Sequence, residues 1–536
     1  MSGTTVRPTA GASRGDAPAL RRRIAGAPVT AVIVAMTVLA LGLRIYQLAR
    51  PGHLLDVGDY DDGADFGSAI WLVHGVLPYR DFVVVQPPGI TLLMAPAALL
   101  SRLTGSTEWA IAAGRLLTAL AGAASVAFGG LLVRHRGLLA TIVTCGIIAI
   151  FPGSVQSAHT VLLEPWLVLF CLAGALAVFD GDQLASGRRL IWGGAAFGFA
   201  GAIKVWAIIP VAVICVLCLP RFRQAARFLV GVAAGFCLPV LPFAILAPRS
   251  FYDSVVVAQL VRTGARTPLT FRLAELTGLA SWHPGPVLLT AAAIVAVALV
   301  IGLPIAASLV TRQPPAPLEW FAAAATAIVV VAFLIPADFY YHYPAFLAPF
   351  LAMALALPAA RLIDGSGPQD LRRGGPPPAR LRAWVASLAA LAVLVLPLAM
   401  PWAENSPVPT YRRPVAAIER ALPPGACVLS DQVSLLISAN RLVSAVPGCP
   451  VVVDGTGTSY ALGHGQSALT AGRVPAVAAV WRRAFGAAQY VVLTPVNRLR
   501  IAWTPQLEAY LHQHFTEASG SWSPLRVYVR NGLRLR

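Results

Sequence analysis

Long apolar runs recur from Pro28 to Trp402, separated by short stretches that carry arginine. A run of about 18 residues or more is long enough to cross the hydrocarbon core as a helix. Inside a bilayer every backbone amide must be paired within the protein, so such runs form helices. The fold class that follows is an α-helical polytopic membrane protein. Composition agrees: 57% of residues are hydrophobic and 12% are charged, where a soluble domain carries about a quarter charged. The net charge of +18 is explained by the positive-inside rule, because the arginines sit in short loops beside the apolar runs. No nucleic-acid partner is expected. The basic set is 40 Arg against one lysine, Lys204, and Ala, Gly and Pro are abundant. That usage points to a GC-rich bacterial genome and a multi-pass protein of the bacterial plasma (inner) membrane.

Residues 1–26 are polar and end in Arg21-Arg22-Arg23. With no small-residue cleavage site after them, they are expected to be a disordered cytoplasmic tail and not a signal peptide. Eleven spans are expected near 28–48, 113–133, 138–152, 161–179, 189–203, 205–220, 228–247, 285–308, 319–336, 341–359 and 383–402. The membrane domain is then 27–402, with a first outer loop at 49–112 and the C-terminus outside. Arg134-His135-Arg136, Arg188-Arg189, Arg221/Arg223/Arg227, Arg312 and the run 361–382 become cytoplasmic. The run 361–382, with Arg372-Arg373 and Pro376-Pro377-Pro378, reads as a flexible loop. Between Arg189 and Arg221 two basic loops enclose one apolar stretch, which must be a hairpin of two short helices. Its outer tip falls near Gly201–Trp206, placing Lys204 at the membrane edge. Pro87–Leu103 is short and is expected to be interfacial or re-entrant, and 249–284 becomes an outer loop.

From about residue 403 the pattern changes. "ACVLS", "CPVVVDG" and "QYVVLTP" read as strands, and "TYRRPVAAIERAL" and "TPQLEAYLHQHF" as amphipathic helices. Residues 403–536 are therefore expected to form a small extracytoplasmic α/β domain. Its cysteines, Cys427 and Cys449, would face an oxidising compartment and form either a disulfide or two buried thiols. Cys145, Cys171, Cys215, Cys218 and Cys237 lie in apolar runs, where cysteine packs as a small hydrophobe.

The stretch "LLDVGDYDDGADFGSA" gathers Asp56, Asp59, Asp61, Asp62 and Asp65 just after the first span, although the whole chain has only 23 acidic residues. As a bland turn, "VGDYDDG" is good turn chemistry. Its surroundings favour more. "GADFGSAIWLVHG" has helical spacing suited to a helix on the membrane surface. Asp61 and Asp62 are then held at the membrane–water boundary, where a carboxylate can act as general base or bind a cation. A divalent cation is a candidate beside so many carboxylates, but no ligand spacing demands one, and no metal site or other cofactor is assigned.

The residues "DDGADFGSA…YRDFVVVQPPG" resemble the first outer loop of protein O-mannosyltransferases and aminoarabinose transferases. Those are GT-C glycosyltransferases, membrane enzymes that use lipid-phosphate-linked sugars. Asp61 matches the family's Asp, Asp62 stands for its Glu, Phe66-Gly67 match the aromatic-small step, and Pro87-Pro88 the turn. The resemblance implies that Asp61 is the general base with Asp62 in support. It further implies donor-side roles for Glu164 in "HTVLLEPWLVLF" and for Lys204 as a phosphate cation; the bland alternatives are a snorkelling carboxylate and a boundary anchor. Where the family has an Arg-Tyr pair, "DFYYHYPAF" offers Tyr341 and His342, which an interfacial aromatic belt would also explain. Arg115 matches an arginine of related sequences and is expected to pair with a loop acid. The function implied is inverting transfer of a sugar from a polyprenyl-phosphate donor to a hydroxyl of a glycan, glycolipid or protein acceptor of the cell envelope, at the outer face among membrane lipids. The alternatives are a transporter or lipid flippase, which would need ionisable groups at the bilayer midplane, and a non-catalytic anchor for the C-terminal domain.

Overall fold

The computed structural model describes residues 16–262, 266–364, 379–399, 412–520 and 522–536. A helix stands at each expected span: Asp16–Leu48, Thr107–Val133, Gly137–Ile150, Glu164–Val178, Arg188–Ile203, Ile208–Cys218, Phe222–Leu246, Pro286–Thr311, Pro317–Leu334, Pro344–Asp364 and Ala379–Ala399. Among the described residues, six stretches are long and apolar enough to cross a membrane, and two of them, Thr107–Ile150 and Val205–Leu246, are divided into consecutive helices. The chain is a multi-pass membrane protein. Its first helix begins at Asp16, inside the segment expected to be a disordered tail. Residues 1–15, and Arg372-Arg373 with Pro376-Pro377-Pro378 of the expected basic loop, lie outside the described residues.

The helix Arg188–Ile203 ends at Lys204, and a 3-10 turn Val205–Ala207 leads into Ile208–Cys218. Two short helices meeting near Lys204 are what the sequence led one to expect, while the main packing partner of Arg188–Ile203 is not the helix that follows it but Phe222–Leu246. Small residues decide this. A Cβ on Gly198 would stand 2.1 Å from the Val232 carbonyl oxygen, and one on Gly235 2.0 Å from that of Ala195. Without side chains the two backbones meet directly, in parallel, by the packing that lipid-embedded helices favour.

Thr107–Val133 runs from the acidic-loop end of the bundle to Arg134-His135-Arg136 at the other. There Asp182 takes ion pairs from His135 and Arg136, both at 2.8 Å, and Glu319 takes them from Arg136 at 3.0 Å and Arg361 at 3.3 Å. Asp182 sits on a hairpin of Phe179–Asp180 (β1) and Gln183–Leu184 (β2).

At the acidic-loop end, the helix Asp61–Val73 was expected to lie on the membrane surface. It is instead enclosed, with Asp62 through Ile70 buried. It packs against Gly89–Thr104 on one side and is covered by Val433–Ser438 of the C-terminal domain on another. Gly63 permits that approach, since a Cβ there would stand 2.4 Å from the Ser434 amide nitrogen. Docking is also hydrogen bonded: Ser434 Oγ donates to the Asp59 carbonyl at 2.7 Å, and Thr107 Oγ1 to that of Ile437 at 2.7 Å.

The C-terminal domain is α/β. Its strands Val428–Ser430 (β3), Tyr490–Leu493 (β4), Phe515–Glu517 (β5) and Arg526–Arg530 (β6) form one sheet in the order β3-β4-β6-β5. β3 and β4 are parallel, and the other pairs antiparallel. Helices form at Arg412–Ala421 and Pro505–His514. "CPVVVDG", expected as a strand, does not pair. Its Asp454 caps the helix Gly455–Leu462 by accepting the Gly457 amide at 2.7 Å. The cap and the burial of Val453 among Tyr79, Phe82 and Val84 of the first loop hold this segment away from the sheet. Cys427 and Cys449 form a disulfide.

Candidate active site

The acidic loop folds as a helix start, which is why its carboxylates diverge. One oxygen of Asp59 accepts the backbone amides of Tyr60 at 2.6 Å and Asp61 at 3.3 Å, and the other accepts the Tyr341 hydroxyl at 2.6 Å. Asp61 and Asp62 occupy the first turn, where acids suit the helix dipole, but adjacent helical positions point apart. Asp61 opens into a cavity of about 500 Å³ and is 40% exposed to it. Asp62 faces the protein. Its Oδ2 is held by Arg115 Nη2 at 2.9 Å and by the Thr160 hydroxyl at 2.5 Å, and both members of the ion pair are fully buried. Arg115 also donates to the carbonyls of His53 at 3.1 Å and Leu54 at 2.7 Å, pinning the approach to the loop. Asp56 accepts the Val57 amide at 2.8 Å, while Asp65 is buried at the cavity wall.

The structure brings Lys204, Glu164 and His342 together behind Asp61. Lys204 Nζ stands 2.5 Å from Glu164 Oε1, His342 Nδ1 stands 2.9 Å from Glu164 Oε2, and His342 Nε2 stands 3.6 Å from Asp61 Oδ2. Each member ends an element: Glu164 begins its helix, Lys204 terminates one, and His342 precedes Pro344–Asp364. Lys204 also sits over the rings of Trp206 at 3.6 Å and Tyr343 at 4.4 Å. Its charge is thus balanced before any ligand arrives.

Burial and the charge of Asp59 raise the Asp61 carboxyl, opposed by His342 and Lys204, so that it is pushed up to about 6. Burial, with Asp61 and Glu164 nearby, holds Asp65 well above the usual carboxylate range. Burial disfavours the charged His342 ring, but Glu164 and Asp61 more than offset it and the imidazole is raised. Near neutrality Asp61 is largely ionised and faces an imidazole whose charged form the two carboxylates favour, while Asp65 beside it is biased toward its neutral form. Among the described residues, no group of three or more His, Cys, Asp or Glu side chains is placed to share a metal ion.

Several cavity residues escaped sequence reasoning. The C-terminal domain contributes Asp454, Thr456, Tyr460 and Arg500 to the cavity that holds Asp61. Tyr60 joins the two parts: its hydroxyl donates to Asp454 Oδ1 at 2.9 Å, and Arg500 lies over its ring at 4.5 Å. Arg262 lines the same cavity, placed over the Tyr460 ring at 5.0 Å, and its Nε donates to the Ala258 carbonyl at 3.0 Å. The Asp-Gly of "VVVDGTGTSY" is a helix-cap signal, but nothing local says that it faces a loop almost 400 residues earlier. An adjoining cavity of about 320 Å³ is lined by the charged Lys204, Arg262 and Asp338 together with apolar Val205, Phe333, Ile335 and Phe339.

The fold is shared with ArnT from Cupriavidus metallidurans. The structure of ArnT bound to undecaprenyl phosphate matches with a TM-score of 0.56 at 14% identity, over 93% of this chain and 98% of that one. ArnT in the apo state gives 0.56 at 15% identity over the same shares. The Archaeoglobus fulgidus oligosaccharyltransferase in complex with Zn and sulfate matches more weakly, at 0.48 and 15% identity over 93% of this chain and 73% of that one. No family model matches the sequence, and no curated protein does. The chain has the GT-C-like fold that its first loop implied.

Proposed function

We propose that the protein is a membrane glycosyltransferase that moves a sugar from a polyprenyl-phosphate carrier to a hydroxyl of a cell-envelope acceptor, at the outer face of the membrane and with inversion. The observation that carries this reading is Asp61. It is an ionisable carboxylate open to a cavity at the end of the apolar bundle, backed by His342 and flanked by the cations Arg262 and Lys204. The ArnT that shares this fold was solved with undecaprenyl phosphate bound, and the adjoining cavity, which combines Lys204 and Arg262 with apolar side chains, suits such a lipid phosphate.

In this mechanism the donor phosphate lies against Arg262, whose terminal nitrogens donate to no partner among the described residues, with Lys204 behind it. Asp61 takes the proton of the acceptor hydroxyl as its oxygen attacks the anomeric carbon. The bond from that carbon to the phosphate oxygen breaks, and the polyprenyl phosphate leaves with its charge against the cations. One displacement from the opposite face inverts the anomeric centre. A phosphate is already a good leaving group, so positioning and a base suffice, and the base contributes on the order of 10²–10⁴-fold.

The test is incubation of the purified protein with a panel of radiolabelled polyprenyl-phosphate sugars and envelope extract, following label into product. Asp61→Asn should express normally and lose transfer. Turnover of no donor by the wild type, or normal transfer by Asp61→Asn, removes the reading.

A further inference from the structure

Tyr341 borders two cavities. On one side lies the cavity of Asp61; on the other is a separate cavity of about 460 Å³. The second is lined by Gln156, Thr270, Glu275 and His283, together with the ring of Phe271. Its elements are the helix Leu269–Thr277, which carries Thr270, Phe271 and Glu275, the segment after the 3-10 turn Ala280–Trp282, and the short helix Pro152–Gln156.

Two of its polar side chains are largely enclosed and present their polar atoms to the cavity. Glu275 is 7% exposed and Gln156 8% exposed, yet neither the carboxyl nor the side-chain amide has a hydrogen-bond or ion-pair partner among the described residues. Their polar atoms are open to the cavity, and polar groups so placed await a ligand or water there. Burial, only partly opposed by His342, holds the Glu275 carboxyl up to about 7, so near neutrality it can both donate and accept a hydrogen bond.

The set also excludes ligands. Among the described residues no Lys or Arg lines this cavity, whereas Lys204, Arg262 and Arg500 all line the cavity of Asp61. With His283 as the potential cation beside it, a phosphate or carboxylate would be desolvated here with far less countercharge than in the cavity of Asp61. Carboxyl, amide and hydroxyl groups beside aromatic rings suit instead a neutral polyhydroxylated ring, its hydroxyls on Glu275, Gln156 and Thr270 and its apolar face on Phe271 or Tyr341.

We infer that this cavity is an acceptor subsite for a neutral sugar unit, separated by Tyr341 from the donor side. The inference rests on the transferase reading for the word acceptor, while the saccharide site itself stands on the cavity alone. The acceptor enters as an uncharged glycan, its reactive hydroxyl passing Tyr341 toward Asp61. Charged envelope polymers are disfavoured.

The test uses the full-length protein in lipid nanodiscs and benzophenone-bearing mannotriose, arabinotriose and glucotriose, each beside a counterpart ending in a glucuronate. At least one neutral probe should label residues 269–283, be competed by its unlabelled trisaccharide, and exceed its acidic counterpart. Labelling should fall about tenfold in Glu275→Ala and severalfold in Gln156→Ala, as loss of one buried hydrogen bond to a ligand implies. Glu275→Gln, which keeps shape and hydrogen bonding, guards against misfolding and should retain more labelling than Glu275→Ala. Labelling elsewhere, insensitivity to both alanine variants, preference for the acidic probes, or no labelling by any neutral probe overturns the site. Site-specific labelling without turnover of any polyprenyl-phosphate sugar removes the transferase reading and leaves the saccharide site in place.

Discussion

The contact between His342 and Asp61 sets a pH dependence that can be worked in advance. Proton removal requires Asp61 as carboxylate, so kcat/KM should fall as pH drops through its pKa of about 6 and be level above it. His342 Nε2 stands 3.6 Å from Asp61 Oδ2, and an imidazolium there favours the carboxylate. At that distance the attraction is about 5 kcal/mol for an effective dielectric constant near 20 and about 1 kcal/mol for water. The half-open cavity lies between these limits, so His342→Gln should move the acidic limb upward by about 1 to 3 pH units. Asp59 acts in the opposite direction by raising Asp61, and Asp59→Asn should move the limb down. The assay is transfer of labelled sugar from the polyprenyl-phosphate donor between pH 4.5 and 9, with the thermal stability of each variant as control. A limb that stays near 6 in His342→Gln, or moves down, refutes the electrostatic role of the histidine. Two variants shifting in the same direction refute the assignment of the limb to Asp61.

Other perturbations test the frame around the site. Arg115→Met leaves the buried Asp62 unpaired and should destabilise the protein by about 3–5 kcal/mol in thermal denaturation, with Asp62→Asn added to it recovering part of the loss. Reduction of the bridge between Cys427 and Cys449, which are 22 residues apart, should cost about 3 kcal/mol, read as a lower melting temperature under reducing conditions. Gly235→Leu should force apart the helices Arg188–Ile203 and Phe222–Leu246, whose backbones leave no room for even a Cβ. It should lower folded yield in detergent, whereas Gly302→Leu, at a position with nothing within 4 Å, should not.

Much of the fold was legible because the bilayer imposes one rule on every segment. An apolar run must become a helix wherever it lies, so every expected span carries one. The same rule is silent on which helices touch: the two short helices that meet at Lys204 were legible, but the packing of the first on Phe222–Leu246 is chosen by small residues far apart in sequence. In the C-terminal domain, alternation identified β3 and β4 but misplaced "CPVVVDG", because a cap and docking against the first loop outweighed its strand preference. The candidate site divides in the same way. Asp61, Glu164, Lys204 and His342 stood out as rare ionisable groups beside apolar runs, and the fold brings them into one chain of contacts. Asp62, read as a partner of Asp61, points the other way, since adjacent residues of a helix cannot share a face.

By itself the sequence determined what must be buried in lipid, where the chain turns, and which few charges are too costly at those turns to be incidental. Only the tertiary structure decided what those charges do. Lys204 is balanced by Glu164, the terminal nitrogens of Arg262 have no partner among the described residues, and Asp454 and Arg500 arrive from the C-terminal domain. Helix formation is settled within a few turns of chain, whereas a cavity is made by contacts between segments whose separation in sequence carries no local signal.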